Sequence, residues 1–169
     1  APSARSRTAD TARATVFDVL RSVAESDAYA NLVLPKAIRS HRLDHRDAGF
    51  ATELTYGTLR HQGTYDAILS RCVDRPIEKV GTTTLIVLRM GVHQLLNMRV
   101  PAHAALNQSV SLAREKIGAG PASFINAVLR RVSERTPEEW YELIIEDAKD
   151  DTERMALLAS PRLDCAFHA

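Results

Sequence analysis

The sequence predicts an all-α domain, a helical bundle of about six to seven helices. Apolar residues recur at the i, i+3, i+4, i+7 spacing of a helix face along most of the 169 residues, and no segment alternates apolar and polar residues as a half-buried strand does. Capping residues or prolines stand where several of these stripes begin, as at Asp44, Pro101 and Thr136-Pro137. These observations favour helices packed around one core.

The first two helices follow from the apolar spacing near the start of the chain. The first covers about residues 8–24, where four apolar residues share one face: Val16, Val19, Leu20 and Val23. The second covers about residues 28–40 and contains Pro35, which predicts a kink or a later start because proline disrupts a helix interior.

A third helical stretch is predicted from Asp44, which suits a capping position, to about Val73. Gly57 and Gly63 lie within it, and a glycine in a helix interior costs up to ~1 kcal/mol relative to alanine. We therefore expect these glycines to permit a close crossing by a neighbouring helix or to mark a bend.

The fourth predicted helix, at about residues 82–98, is apolar around most of its circumference, which is typical of a central buried helix. A fifth begins at Pro101, a sixth follows Gly118 and a seventh follows Thr136. A short helix is expected near residues 154–158 and a loose tail at 160–169. We assign residues 1–150 to one domain and residues 151–169 to a tail or linker.

Composition limits the class of protein. A hydrophobic content of 45% excludes a disordered chain, and 7 Gly and 7 Pro exclude a collagen-like one. No stretch approaches the ~20 apolar residues that a membrane span needs. Two cysteines, Cys72 and Cys165, are too few for a disulfide framework and fit a reducing compartment. We expect a cytoplasmic domain.

The net charge of +1 conceals an asymmetry along the chain. Residues 1–136 contain 19 Lys and Arg against 12 Asp and Glu, a balance of +7, whereas residues 137–169 contain 3 against 9, a balance of −6. Of the 22 basic residues, 18 are arginine, whose planar fork suits phosphate. A polyanion-binding segment and ordinary solvation of helix faces explain this balance equally well.

Motifs for catalysis, metal binding and cofactor binding are weak. His41 and His45 have the i, i+4 spacing of metal ligands, but Asp44 caps the helix between them and no third ligand is near in sequence. Gly118-Ala119-Gly120 lacks the preceding strand and third glycine of a dinucleotide loop, and Cys72 fits a small core residue. We expect no catalytic, metal-binding or cofactor-binding residue in this chain.

Arginine groups are the candidates for RNA binding. The predicted site comprises eight arginines near the first helix, near the second loop and at two later positions: Arg5, Arg7, Arg13, Arg42, Arg46, Arg60, Arg130 and Arg131. Arg130 and Arg131 are neighbours about 100° apart on a helix, so we expect one of them to face RNA. Single-stranded RNA also needs aromatic faces. Tyr29, Tyr56 and Tyr65 are the candidates for these, with burial expected for at least two.

One segment carries a resemblance to a known family. Asn126-Ala127-Val128-Leu129-Arg130-Arg131, preceded by Ser123-Phe124-Ile125, resembles the F-[VI]-N-A-V-L-R-R signature of the NusB-like domain. The segments 53–60, 88–96 and 100–113 look like this family's third, central and following helices. The resemblance covers about residues 8–135 and implies a NusB-like helical bundle.

Within that family, the motif is similar to the N-terminal domain of the rRNA cytosine-C5 methyltransferases of the RsmB (Sun/Fmu) type. Free-standing NusB typically reads N-G-V-L-D, whereas here Ala127 follows the asparagine and Arg130 replaces the acidic residue. The resemblance implies binding of RNA, small-subunit rRNA in particular, near the first helix. It also implies a separate methyltransferase domain in cis that binds S-adenosylmethionine and uses a Pro-Cys nucleophile. Neither Cys72 nor Cys165 follows proline.

The same residues leave other functions open. A free-standing NusB-type antitermination factor would bind regulatory RNA together with a small ribosomal protein. A protein-interaction domain would dock an acidic partner or form a homodimer. The resemblance also places Arg89 and Asn126 in motifs, and we expect both to make hydrogen bonds between helices.

Overall fold

The computed structural model describes residues 4–148 and 150–158, with side chains for residues 11–148 and 150–156. Within these residues it contains helices and no strand, which confirms the predicted all-α class. A 3₁₀ turn at Ile77–Lys79 lies between the fourth and fifth α-helices. The α-helices are α1 (Ala4–Ser26), α2 (Ala30–Ser40), α3 (His45–Arg60), α4 (Gln62–Ser70), α5 (Thr82–Leu96), α6 (Ala102–Lys116), α7 (Ala119–Val132), α8 (Pro137–Glu146) and α9 (Asp151–Leu158).

The structure refines two of the helix predictions in the first half of the chain. Helix α2 begins at Ala30 and continues through Pro35. The predicted third stretch is two helices, because the chain breaks at His61, between the two glycines that suggested a bend. Asp44 caps α3 as expected, and its carboxylate accepts a hydrogen bond of 2.8 Å from the backbone N–H of Asp47. The split at His61 and the helix α9 account for the larger number of helices.

Helix α5 is the centre of the bundle, as its apolar circumference predicts. Val87, Leu88 and Val92 are fully buried. Gly91 allows α7 to pack closely against α5, since a Cβ atom there would lie 2.5 Å from Leu129 Cδ1. A bulkier residue at this crossing would push the two helices apart.

The directions of the helices follow from side chains that meet across them. The Arg13 guanidinium lies over the ring of Phe50, and one cavity of about 210 Å³ brings the end of α1 (residues 20–24) to the end of α3 (residues 58–59). Helices α1 and α3 therefore run parallel. Lys116 lies 3.1 Å from Asp18, and Arg13 borders a second cavity with residues 108–115, so α6 also runs parallel to α1.

Helix α5 runs in the opposite direction. Its residue Gln94 bonds Arg13 near the start of α1, and its residues 86 and 89 border the end of α1. Helices α1, α3 and α6 consequently begin at one end of the bundle, where α5 ends. This end, called the amino-terminal end below, is also where the turn between α2 and α3 lies.

The C-terminal part of the described chain packs on this bundle. Thr136 and Glu139 form a capping box at the start of α8, and Trp140 Nε1 donates a hydrogen bond of 2.8 Å to the carbonyl of Val132. Helix α9 includes the short helix expected near residues 154–158. The predicted loose tail at 160–169 lies outside the described residues.

Candidate nucleic-acid interface

The structure separates the predicted RNA-binding arginines into three locations. Arg42 and Arg46 lie at the amino-terminal end of the bundle, to which the first turns of α1, with Arg5 and Arg7, also lead. Arg13 lies inside. The remaining three, Arg60, Arg130 and Arg131, lie on other exposed surfaces.

Arg13 is buried, with 6% of its surface exposed. Its Nε donates a hydrogen bond of 2.8 Å to Gln94 Oε1, and its guanidinium stacks 4.8 Å from the centre of the Phe50 ring. It therefore links α1 to α5 and α3. The sequence placed it with Arg5 and Arg7 by proximity alone, and RNA contact by Arg13 remains a prediction that its burial disfavours.

Arg42 and Arg46 are exposed and make no ion pair with any residue that the structure describes. Arg46 lies in the first turn of α3, beside Asp47. Burial and the neighbouring Asp44 raise the pKa of Asp47, and Arg46 opposes this shift. Two cations thus face solvent where the α2–α3 turn meets the start of α3.

The start of α1 leads to the same end. Arg5 and Arg7 lie in its first turns, and their side chains are outside the described part of the structure. At 1.5 Å per residue, Arg7 lies about 9 Å beyond Arg13 along the helix axis, and Arg46 lies about 6 Å beyond Phe50 in the same direction. The backbone therefore brings Arg5, Arg7 and Arg46 to one end of the bundle.

Arg60 lies beside a buried polar chain that joins α5 to α4 and α3. Asn97 Nδ2 donates to the Tyr65 hydroxyl at 2.5 Å, and the distance from that hydroxyl to His93 Nδ1 is 2.6 Å. His93 Nε2 lies 3.1 Å from Glu53 Oε1. A neutral His93 with its proton on Nε2 satisfies every one of these bonds, since Tyr65 then donates to Nδ1 and Nε2 donates to Glu53.

Electrostatics agree with a neutral His93. Burial lowers the pKa of His93 below its ordinary 6.5, and the charge of Arg60 lowers it further, while Glu53 acts in the opposite direction. Gly57 makes room for the imidazole, because a Cβ atom there would lie 2.1 Å from His93 Nε2. The motif Gly57-Thr58-Leu59-Arg60-His61 therefore serves the crossing of α3 and α5, and only Arg60 of this motif faces solvent.

A second group of cations surrounds Cys72, and the sequence analysis missed most of it. Arg131 donates to the Cys72 carbonyl. Burial raises the pKa of the Cys72 thiol to about 11, although Arg131, Arg135 and Arg71 each lower it. Arg71 pairs with Asp147, the residue that follows α8. Because Arg71 follows α4, Arg131 lies on α7 and Asp147 follows α8, the group exists only in the folded chain. Most of its cations are engaged within the protein.

Other predicted positions have clear surroundings. Arg89 makes the expected hydrogen bonds between helices, since its Nε and Nη2 donate to the Asp66 carboxylate at 2.7 and 2.8 Å. Asn126 is half-buried. Among the candidate stacking residues, Tyr65 is buried, Tyr56 is half-buried and Tyr29 is 72% exposed.

The described residues hold no group of three histidine, cysteine, aspartate or glutamate side chains that would suit a metal ion, and His41 instead bonds the Ala37 carbonyl. None of the described helices combines the length and apolar character of a membrane span.

Comparison with protein families identifies this arrangement. The model of the NusB family matches residues 10–134, which is most of the chain and extends from α1 to just beyond α7. The chain belongs to the NusB family. The predicted NusB-like bundle is thereby confirmed, and the matched range includes α5 and residues Asn126–Arg131 on α7.

Relatives of this NusB-family chain are longer proteins. A Mycobacterium tuberculosis protein with a methyltransferase name is 42% identical over 147 residues, which are 87% of this chain and 32% of that protein. A ribosomal RNA small subunit methyltransferase B from Thermus thermophilus is 34% identical over 139 residues, or 82% of this chain and 34% of that protein. The chain spans about a third of the length of these relatives.

Solved structures agree on the fold. The crystal structure of antitermination factors NusB and NusE in complex with dsRNA contains a chain that superposes with a TM-score of 0.69 at 20% identity, covering 76% of this chain and 97% of that one. A chain from the structure of a plectonemic RNA supercoil gives a TM-score of 0.70, also at 20% identity, covering 76% and 95% of the two chains.

Proposed function

We propose that this NusB-family chain is the RNA-binding domain of an rRNA cytosine-C5 methyltransferase and that it positions small-subunit rRNA for a catalytic domain in the same protein. The observation that carries the proposal is the length of the relatives. The segment shared with ribosomal RNA small subunit methyltransferase B covers most of this chain but about a third of that protein. Methyl transfer and binding of S-adenosylmethionine are assigned to the remaining part, and the protein to the cytoplasm.

The charge at the amino-terminal end of the bundle supports RNA binding there. Arg42 and Arg46 are exposed and unpaired among the described residues, and Arg5 and Arg7 lie in the helix that begins at that end. Phosphate contacts of this kind release counterions, so RNA affinity falls as salt increases. Arg60 is a secondary candidate because it ends α3, at the opposite end of the bundle. Arg131 is a secondary candidate because it is bonded to the Cys72 carbonyl, and Arg130 is exposed beside it.

The test compares two variants with the same loss of charge. Fluorescence polarisation would measure binding of small-subunit rRNA hairpins and of a scrambled RNA across a salt titration. The Arg42→Ala/Arg46→Ala variant should weaken binding and reduce the slope of log K against log salt by about 1.4 to 1.8, since each lost contact contributes ~0.7 to ~0.9. The control variant Arg114→Ala/Arg154→Ala removes two exposed arginines, one in the last turn of α6 and one on α9, and should bind as the unmodified chain does.

Equal effects of the two double variants would assign the binding to overall charge and contradict an interface at the amino-terminal end. If none of the RNAs bound to the chain, the RNA-binding proposal would be overturned. The gene offers a separate test of the methyltransferase assignment, because we expect the reading frame to continue into a domain with a Pro-Cys motif. A stop codon directly after this chain would favour a free-standing NusB-type factor.

A further inference from the structure

Helix α2 exposes an unusual set of side chains along its outer face. Tyr29 is 72% exposed and Leu32 is 60% exposed, and Lys36 and Arg39 are exposed as well. These residues follow one another at the i, i+3, i+7, i+10 spacing that keeps side chains on one face of a helix. An aromatic ring, an apolar side chain and two cations thus form a continuous exposed stripe.

Each end of α2 carries a residue type that is unusual at that position of a helix. Tyr29 occupies the N-cap position, where serine, threonine, aspartate or asparagine is preferred, and its side chain makes no capping bond. At the other end, the N–H groups of Leu43 and Arg42 bond the carbonyls of Ile38 and Arg39 at 3.1 Å in a Schellman motif. Arg42 there has a φ of 52°, in the left-handed region where glycine is usual.

The side chains of these two residues have no evident role in folding, although the backbone of Arg42 closes the Schellman motif. Tyr29 neither caps the helix nor enters the core, and Arg42 adopts a strained conformation without an ion pair to any described residue. Residues that break local rules without a gain in stability are characteristic of functional surfaces.

The charge of this surface is complementary to a polyanion. Residues 28–43 contain Lys36, Arg39 and Arg42 and no aspartate or glutamate. From Tyr29 to Arg39 the helix rises about 15 Å, which is the length of roughly four stacked nucleotides at ~3.4 Å each. The stripe leads directly to Arg42 and then to Arg46 at the amino-terminal end.

We propose that the outer face of α2 forms part of an RNA-binding surface, on which Tyr29 stacks against an unpaired base while Lys36, Arg39 and Arg42 contact the phosphates. Base–aromatic stacking tolerates any sequence because every base has a π-face, and cations spaced along a groove or helix follow the backbone. The inference rests on the proposed RNA-binding function and adds a class of substrate, RNA with unpaired bases, together with the residue that recognises it.

The test uses variants that should stabilise the fold while weakening binding. Tyr29→Ser removes the ring and supplies a preferred N-cap residue, and Arg42→Gly removes a cation and relieves the left-handed strain. Tyr29→Phe retains the ring and is the matched control. Thermal unfolding and fluorescence polarisation would be measured with a labelled RNA strand of about 12 nucleotides, used alone and in a blunt duplex.

For Tyr29→Ser we expect an unchanged or higher Tm and roughly tenfold weaker binding of the single strand, with unchanged binding of the duplex and an unchanged salt slope. Arg42→Gly should raise the Tm and reduce the salt slope by about 0.7. Tyr29→Phe should bind as the unmodified chain does.

Unchanged single-strand binding by Tyr29→Ser would overturn the inference and favour a protein partner for this face. The proposed function would still stand if Arg42→Ala/Arg46→Ala weakened binding. Equal losses on single strand and duplex would also overturn the stacking role, because paired bases are not free to stack on Tyr29.

Discussion

Substitution of Gly57 by alanine should disrupt the crossing of α3 and α5. A Cβ atom at this position would lie 2.1 Å from Nε2 and 2.2 Å from Cε1 of His93, so the ring would have to move by about 1 Å or more to reach ordinary contact. His93 is 1% exposed and bonds Tyr65 and Glu53 at its two nitrogens. It cannot move without breaking these bonds.

Four contributions determine the expected cost. Overpacking costs about 1–3 kcal/mol, and loss of the buried bond between Tyr65 and His93 adds about 1–2 kcal/mol. The bond to Glu53 contributes less because that side chain is 60% exposed. Replacing a glycine within a helix returns up to about 1 kcal/mol. We expect a net loss of about 2–3 kcal/mol, or a decrease in Tm of about 5–10 °C for a chain of this size.

Urea and thermal unfolding would measure this change, with Gly49→Ala as the control. Gly49 is an exposed residue of the same helix, and a Cβ atom added there would have no neighbouring atom within 4 Å, so that variant should be as stable as the unmodified chain or more stable. In a His93→Ala background, Gly57→Ala should lose its destabilising effect because the clashing ring is gone. A Gly57→Ala variant of unchanged stability, or the same loss in both backgrounds, would refute the steric explanation.

Three further predictions concern buried groups. Because burial lowers the pKa of His93, His93 takes up a proton more readily in the unfolded chain than in the folded chain. The free energy of unfolding should therefore decrease as the pH falls below about 6.5. Urea unfolding should show a smaller decrease for the His93→Gln variant. Arg13→Ala should destabilise the fold by about 2–3 kcal/mol because Gln94 loses its buried donor, and an unchanged Tm would contradict the structural role of Arg13. In a Cys165→Ser variant, Cys72 with its pKa of about 11 should react with a thiol reagent at about pH 8 only after unfolding; rapid labelling of the folded chain would show that the thiol is accessible.

The fold was predictable because its signals are local. Asp44 caps α3 by accepting a hydrogen bond from the backbone N–H of Asp47, three residues later, and the apolar circumference of residues 82–96 is visible in the sequence itself. Gly57 and Gly63 suggested a close crossing or a bend, and each explanation applies to part of the chain. His93 packs against Gly57, whereas the helix breaks at His61.

The candidate site was less predictable because exposure depends on distant partners. Arg13 resembles Arg5 and Arg7 in sequence, but Gln94, which is 81 residues away, binds it in the core. The cations around Cys72 likewise come from separate parts of the chain, residue 71 and residues 131–135. Tyr29 could not be distinguished from Tyr56 and Tyr65 by spacing alone, since only the packed bundle determines which ring remains exposed.

The parallel arrangement of α1, α3 and α6 also has a consequence for the backbone. Each helix start carries the equivalent of about +0.5 elementary charge from aligned peptide dipoles, and each helix end about −0.5. These three starts are offset by three helix ends at the same end of the bundle, those of α2, α5 and α7, because α7 runs beside α5 in the same direction. The helix dipoles therefore leave almost no net charge there. The attraction of this end for phosphate therefore depends on its arginine side chains, such as Arg42 and Arg46, and salt screens it.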